Sequence, residues 1–285
     1  MIFVVTKLIL LNLSAIDTGM SFPPTLISTN SEPTMHFAKS RRFLTLSCLI
    51  IFLCGASFMT YAAAKPKVII FDVNETLLDL NTMRSSVGAA LGGNADLTAL
   101  WFSTMLHHSL VTTVTGDYQD FGKIGVAALM MVAHNEGITI TEEQALTAIK
   151  TPLLSLPAHP DVKPGLSSLK AKGYKIVSLT NSSNQGVKTQ FSHAGLTQYF
   201  DERLSIEDIK VYKPDLRAYA WALDKLGVKP EEALMVAAHG WDIAGANAAG
   251  MQTAFVARPG KALNPLAPKP NYIVKDLNEL VAILK

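Results

Sequence analysis

The most constraining stretch of the sequence is short. Lys67-Val-Ile-Ile-Phe-Asp72 is an unbroken apolar run, rich in β-branched residues and closed by an acid. A strand with one wet face alternates apolar and polar residues, whereas a strand apolar at every position must be covered on both faces. The centre of a parallel sheet provides that cover, so 68–71 is expected to be a central strand with Asp72 at its carboxyl end. Further strand candidates lie at 174–179, 233–237, 253–257 and 272–274. Helical patterns separate them, each stopped by glycine: Leu166 and Leu169 run to Gly173, Leu216, Tyr219, Leu223 and Leu226 to Gly227, and 243–249 to Gly250. Strand, helix, strand in succession implies a doubly wound α/β sheet, whose functional residues gather at the carboxyl ends of the strands.

Between Leu80 and about Ala158 the apolar spacing is helical instead. Leu97, Leu100, Trp101 and Met105 form one stripe and Val126, Leu129, Met130 and Val132 another, while Thr141 and Gln144 make a capping box ahead of a third. The chain is therefore expected to divide into an α/β core at 65–81 and 158–285 and an inserted α-helical cap at 82–157. A helical cap over the strand ends would exclude water from a site there. Met130 and Met131 are expected to pack the cap. His134 and His159 lack partners at metal-ligand spacing.

Composition limits the partners and the redox chemistry. Lys7, Lys39, Arg41 and Arg42 against Asp17 and Glu32 account for the whole formal charge of +2, so acids and bases balance after residue 64. A neutral body lacks the basic footprint of a nucleic-acid binder. Lys39, Arg41 and Arg42, the apolar run 43–59 and Ala62-Ala63-Ala64 read as an export signal over 35–64, cleaved near Ala64, with a periplasmic destination. The alternative is a membrane anchor at 43–59, although a span needs about 20 apolar residues. Residues 1–34 form an upstream leader, and Met35 is the expected start of translation. Cys48 and Cys54 both fall inside the signal, so the body has no thiol for disulfides, nucleophilic catalysis or zinc.

Four polar groups end or follow strands: Asp72, Thr180-Asn181, Lys213, and His239-Gly-Trp-Asp242. In these residues the chain resembles the haloacid dehalogenase superfamily. Phe71-Asp72-Val-Asn-Glu-Thr76-Leu77 is similar to its nucleophile motif and Ser178-Leu-Thr180-Asn181 to its hydroxyl motif. Tyr212-Lys213-Pro214-Asp215 is similar to its lysine motif and Trp241-Asp242-Ile-Ala-Gly245-Ala246 to its acidic motif. The resemblance runs from residue 67 to about 260 in the family's order, and implies a Rossmann-like parallel core with an inserted helical cap.

The superfamily's phosphatases carry a general acid two residues after the nucleophile, where this chain has Asn74, and a magnesium-binding acid where it has Ala237 and Ala238. Alanine cannot supply an oxygen ligand to magnesium. The resemblance instead favours the metal-free 2-haloacid dehalogenase branch, which shares Arg217-Ala-Tyr219 and Trp241. It implies, without a cofactor, that Asp72 displaces halide from a small 2-haloalkanoate and that water then hydrolyses the aspartyl ester. Lys213 would keep Asp72 ionised and Asp242 would orient Lys213 and act on the water. Thr76, Thr180 and Asn181 would bond the nucleophile or the substrate carboxylate. Asn74, Tyr219 and Trp241 complete the expected binding site. The branch's cap arginine, which follows a tryptophan, is absent: Trp101 is followed by Phe102. Three histidines, His107, His108 and His239, are the candidates to receive halide or carboxylate in its place, with Trp101 beside them. The first motif carries Glu75 where the branch has glycine, and the last carries Ala237 and His239 for its serine and asparagine. Two other readings stay open: a magnesium-dependent phosphatase, and a non-catalytic relative that binds a small carboxylate. A homodimer is also left open.

Overall fold

The computed structural model describes residues 65–284 of the 285-residue chain. The leader at 1–34, the export signal at 35–64 and the anchoring alternative at 43–59 lie outside the described residues. No helix among those described is long and apolar enough to cross a membrane.

Six parallel strands form one sheet. In chain order they are β1 (Val68–Phe71), β2 (Lys175–Thr180), β3 (Glu202–Ser205), β4 (Ala233–Ala237), β5 (Gln252–Val256) and β6 (Tyr272–Val274), and their order across the sheet is β3-β2-β1-β4-β5-β6. All four residues of β1 are fully buried, as an apolar run with no alternation requires. The chain winds outward from β1 through β2 to β3, then returns to lay β4 on the other side of β1. The reversal falls between β1 and β4, which is where open α/β sheets leave a crevice beyond their strand ends. Phe71 is level with Ser178 on one side and Val236 on the other. Asp72, the end of β2 and the loop after β4 therefore come to the same edge.

Strand β3 is absent from the sequence reading. It is a four-residue edge strand that opens on Glu202 and Arg203, and its polar outer half carries no apolar signal.

Four helices separate β1 from β2's supporting helix: α1 (Arg84–Ala90), α2 (Leu97–Thr115), α3 (Phe121–Asn135) and α4 (Glu142–Leu154). Thr141 and Gln144 form the capping box that starts α4. The chain leaves the core and returns to it at one point. Leu78 bridges Ala158, the Asp79 N–H donates to the Pro157 carbonyl at 2.8 Å, and the His159 N–H donates to the Leu77 carbonyl at 3.0 Å. Beyond this clasp the core continues with α5 (Val162–Ala171), α6 (Asn184–Ala194), α7 (Leu216–Leu226), α8 (Gly240–Ala248) and α9 (Leu277–Ile283).

Candidate active site

Asp72 lies where β1 stops, and its carboxylate accepts three hydrogen bonds. Lys213 Nζ donates to Oδ1 at 3.0 Å, while Thr76 Oγ1 donates to Oδ2 at 2.6 Å and His239 Nδ1 lies 3.0 Å from the same oxygen. Thr76 is held in turn, because its hydroxyl oxygen accepts the Ala238 N–H at 2.9 Å and so directs its own proton to Asp72. Lys213 reaches across to Asp242 Oδ2 at 2.6 Å, and Tyr219 donates to Asp242 Oδ1 at 2.6 Å. On the other side His239 Nε2 lies 2.7 Å from Glu75 Oε2, and Glu75 Oε1 is bonded by Lys261. The result is a continuous line of alternating groups, Tyr219–Asp242–Lys213–Asp72–His239–Glu75–Lys261.

Local sequence explains how each group is aimed. Asp215 caps α7 by accepting the Arg217 N–H, and this helix turns Ala218, Tyr219, Ala222 and Leu223 inward. Tyr219 reaches Asp242 because Gly245 faces it, for a Cβ at Gly245 would stand 2.6 Å from the Tyr219 hydroxyl. Asp242 sits in the first turn of α8. Glu75 adopts a left-handed backbone with φ of 63°, where L residues are uncommon, and there its side chain meets His239. Arg258, in the loop after β5, forms a two-pronged pair with Asp161 and donates to the Thr76 carbonyl, fixing the nucleophile turn from below.

Burying such charges is tolerable only when each is paired and hydrogen-bonded. Lys213 and Asp242 are 1% and 0% exposed, and Asp72 is 5% exposed. Burial alone would raise the Asp72 carboxyl, but the Lys213 charge and the bonds from His239 and Thr76 outweigh it and hold it well below the usual carboxylate range. Asp242 is pushed up by burial and by the neighbouring Asp72 charge, against the pull of Lys213. Lys213 is raised although burial opposes it, because two carboxylates face it. For His239, burial again opposes, and the bonds and charges of Asp72 and Glu75 carry it up to about 9. With His239 protonated, three cations and three anions balance along the line.

A cleft of about 410 Å³ opens beside this line, with Glu75, Arg84, Phe102, His239, Trp241 and Lys261 on its walls. The His239 ring stacks on Trp241 at 4.9 Å and on Phe102 of α2 at 6.0 Å between centroids. His239 is the group that both borders the cleft and bonds Asp72.

Asp72, Thr76, Lys213, Asp242, Tyr219 and His239 are thus brought into one network, with Trp241 against it. Other expected residues are placed differently. Asn181 brackets the Lys213 backbone, accepting its N–H at 3.1 Å and donating to its carbonyl at 3.5 Å, and so fixes the lysine. Thr180 accepts the Ser182 N–H at 3.1 Å in the turn after β2. Asn74 donates to Ser182 Oγ at 3.1 Å and accepts from Gln190 Nε2 at 3.0 Å, and it is not among the residues on the cleft wall. Trp101 is a correction: it is fully buried within the cap, its indole N–H bonded to the Gly125 carbonyl at 2.8 Å, because a large ring on that face of α2 packs inward on α3. His107 and His108 are corrections too. They stack edge-on against each other, and neither lies on the cleft wall. Position 102 supplies the cap's contact instead, through a ring stacked on His239.

Sequence reasoning missed Arg84, Lys261 and Arg258. The last two follow β5, and the rule that gathers strand ends applied to them as much as to Asp72. His159 also belongs here, with Nε2 3.2 Å from the Glu75 carbonyl. Among the described residues no group of three His, Cys, Asp or Glu side chains is placed to hold a metal ion.

The family model of the haloacid dehalogenase-like hydrolases matches residues 66–250. The chain belongs to that family. This hydrolase is 33% identical over 220 residues to (S)-2-haloacid dehalogenase 1 of Pseudomonas sp. (strain CBS-3), a match covering 75% of this chain and 95% of the relative. It is also similar to the L-2-haloacid dehalogenase of Xanthobacter autotrophicus, with a TM-score of 0.72 and 25% identity over 77% of this chain and 98% of that one. The structure of that enzyme with chloropropionic acid covalently bound gives a TM-score of 0.71 at the same identity and coverage.

Proposed function

We propose that this hydrolase cleaves the carbon–halogen bond of a small (S)-2-haloalkanoate through an ester on Asp72, without a metal. The observation that carries the reading is a carboxylate kept ionised between two cations, Lys213 and His239, in a water-poor crevice. An ionised carboxylate is the form that attacks carbon, and a departing halide needs no proton. Asp72 Oδ1 carries one hydrogen bond and Oδ2 two, so Oδ1 retains a free lone pair for in-line attack. Asp242, through Lys213, is the group that handles the proton of the hydrolytic water. Arg84, Lys261 and His239 on the cleft wall supply positive charge for the substrate carboxylate and the halide.

Phosphoryl transfer fits less well. It rests on neutralising charge with metal ions, but both sides of Asp72 already carry cations, and Asn74 is committed to Gln190 and Ser182. Halide release from chloroacetate and both 2-chloropropionate enantiomers, in the presence of chelator, tests the reading. Release expected from the (S) enantiomer must vanish in Asp72→Asn. Release that needs added magnesium, or none from any substrate, would overturn it. Residues 35–64 serve, in the same proposal, as an export signal, tested by the N-terminus of the mature protein recovered from the periplasm.

A further inference from the structure

Resting on that reading, we propose that Glu75 is a positioning residue for the second half-reaction, holding His239 so that its Nδ1–H and the Thr76 hydroxyl form an oxyanion hole on Asp72 Oδ2. The two oxygens of Asp72 take different parts. Attack through Oδ1 forms the Oδ1–carbon bond, breaks the carbon–halogen bond and releases halide. The ester carbonyl is then Oδ2, already 2.6 Å from Thr76 Oγ1 and 3.0 Å from His239 Nδ1. Addition of water to Cγ moves the carbonyl electron pair onto Oδ2, between two donors already in place. Donors set before charge develops are the most effective electrostatic catalysts. The proton of the water passes to Asp242 and on to the alkoxide when the Cγ–Oδ1 bond breaks. This leaves 2-hydroxyalkanoate and an Asp72 carboxylic acid, which releases one proton to solvent.

Esterification creates the difficulty that Glu75 resolves. In the free enzyme Asp72 and Glu75 both face His239 and raise it to about 9. Once Asp72 is an ester its charge is gone, and Glu75 is the one side-chain anion bonded to the ring, the substrate's own carboxylate being shared with Arg84 and Lys261 on the cleft wall. Of the other charged side chains, Lys213, Lys261, Arg84 and Arg258 are positive and favour loss of the proton, while Asp242 and Asp161 are paired with Lys213 and Arg258 and Asp79 caps the turn at Leu80–Met83. Phe102 and Trp241 stack on the ring, so solvent over its faces does little to screen its charge. A neutral ring with its proton on Nε2 would present a lone pair to the oxyanion. Glu75 sits in a left-handed backbone that glycine would adopt more easily, so the carboxylate is held beside His239 at a cost in local strain.

The test uses (S)-2-chloropropionate with the wild-type protein, Glu75→Gln and Glu75→Gly, the last relieving the backbone. Halide is followed through the first turnover and the alkylated protein by intact mass after rapid quench. Expected for both variants are a burst of about one halide per enzyme, accumulation of the Asp72 ester and a steady-state kcat lower on the order of a hundredfold. The basic limb of kcat moves to lower pH. A single cooperative thermal transition well above the assay temperature, measured for both variants, separates the effect from misfolding. An unchanged kcat, or a lowered one without ester accumulation, refutes the inference alone. No halide release from the wild-type protein refutes the dehalogenase reading, and the inference with it.

Discussion

Replacing Lys213 with methionine removes the cation that bridges Asp72 and Asp242, with consequences for stability as well as chemistry. Lys213 Nζ lies 3.0 Å from one carboxylate and 2.6 Å from the other, all three groups being almost wholly buried. Breaking a buried pair by removing one partner destabilises by about 3–5 kcal/mol, because the remaining charge is left unsolvated. Asp72 keeps His239 as a counter-charge, so the larger share falls on Asp242, which keeps only the Tyr219 hydroxyl. In a domain of this size about 3–5 kcal/mol lowers the melting temperature by roughly 6–20 °C. The deficit must also depend on pH. Without Lys213 the Asp242 carboxyl, already raised by burial, rises further. A carboxyl with a folded pKa above its unfolded value destabilises once the pH exceeds the ordinary carboxylate range, about 4, and the penalty grows until the folded pKa is passed. The deficit should therefore be larger at pH 8 than at pH 5. Thermal unfolding of wild type, Lys213→Met and Lys213→Met/Asp242→Asn at both pH values measures it, the double variant recovering much of the loss. A single variant as stable as wild type at pH 8, or a deficit indifferent to pH, would show that Lys213 does not hold the two carboxylates ionised.

Gly245→Ala should lower activity and destabilise by about 1–3 kcal/mol, since the new methyl meets Tyr219 and Pro214 at 2.6–2.7 Å; kinetics beside a urea titration checks this. The kcat/KM profile should fall as pH rises through about 9, because His239 is raised in the free protein and its charge is present below that value and lost above it. A flat profile up to pH 10 would contradict that assignment. His107→Ala/His108→Ala should leave halide release unchanged, because neither ring lies on the cleft wall.

The legible parts of the molecule were those whose physics is local. Val68–Phe71 announces a central strand because burial on both faces removes every polar position, and Thr141 with Gln144 announces a helix start because two side chains satisfy two orphan N–H groups. Asp72, Lys213 and Asp242 were legible through their order along the chain. The direction in which a residue faces around a helix was not. Trp101 and Phe102 are neighbours, and only the packing of α2 on α3 decides that the first fills the cap while the second meets His239. The same limit hid Asn74, whose amide is captured by Gln190, 116 positions away. The polar edge strand β3 shows in the sheet and not in its own residues, because its pairing with β2 supplies what its composition lacks.

The clasp between Leu78 and Ala158 has a consequence for how such a protein can change. Because the inserted helices begin and end at adjacent points, the sheet experiences the whole insert as one closed loop, however many residues it contains. The entropy of closing a loop grows only slowly with its length, each doubling adding about 0.6 kcal/mol. Helices can therefore be lengthened, exchanged or lost above the clasp while the strands below keep their register. The ceiling of the cleft is then a replaceable part mounted on a fixed chemical floor.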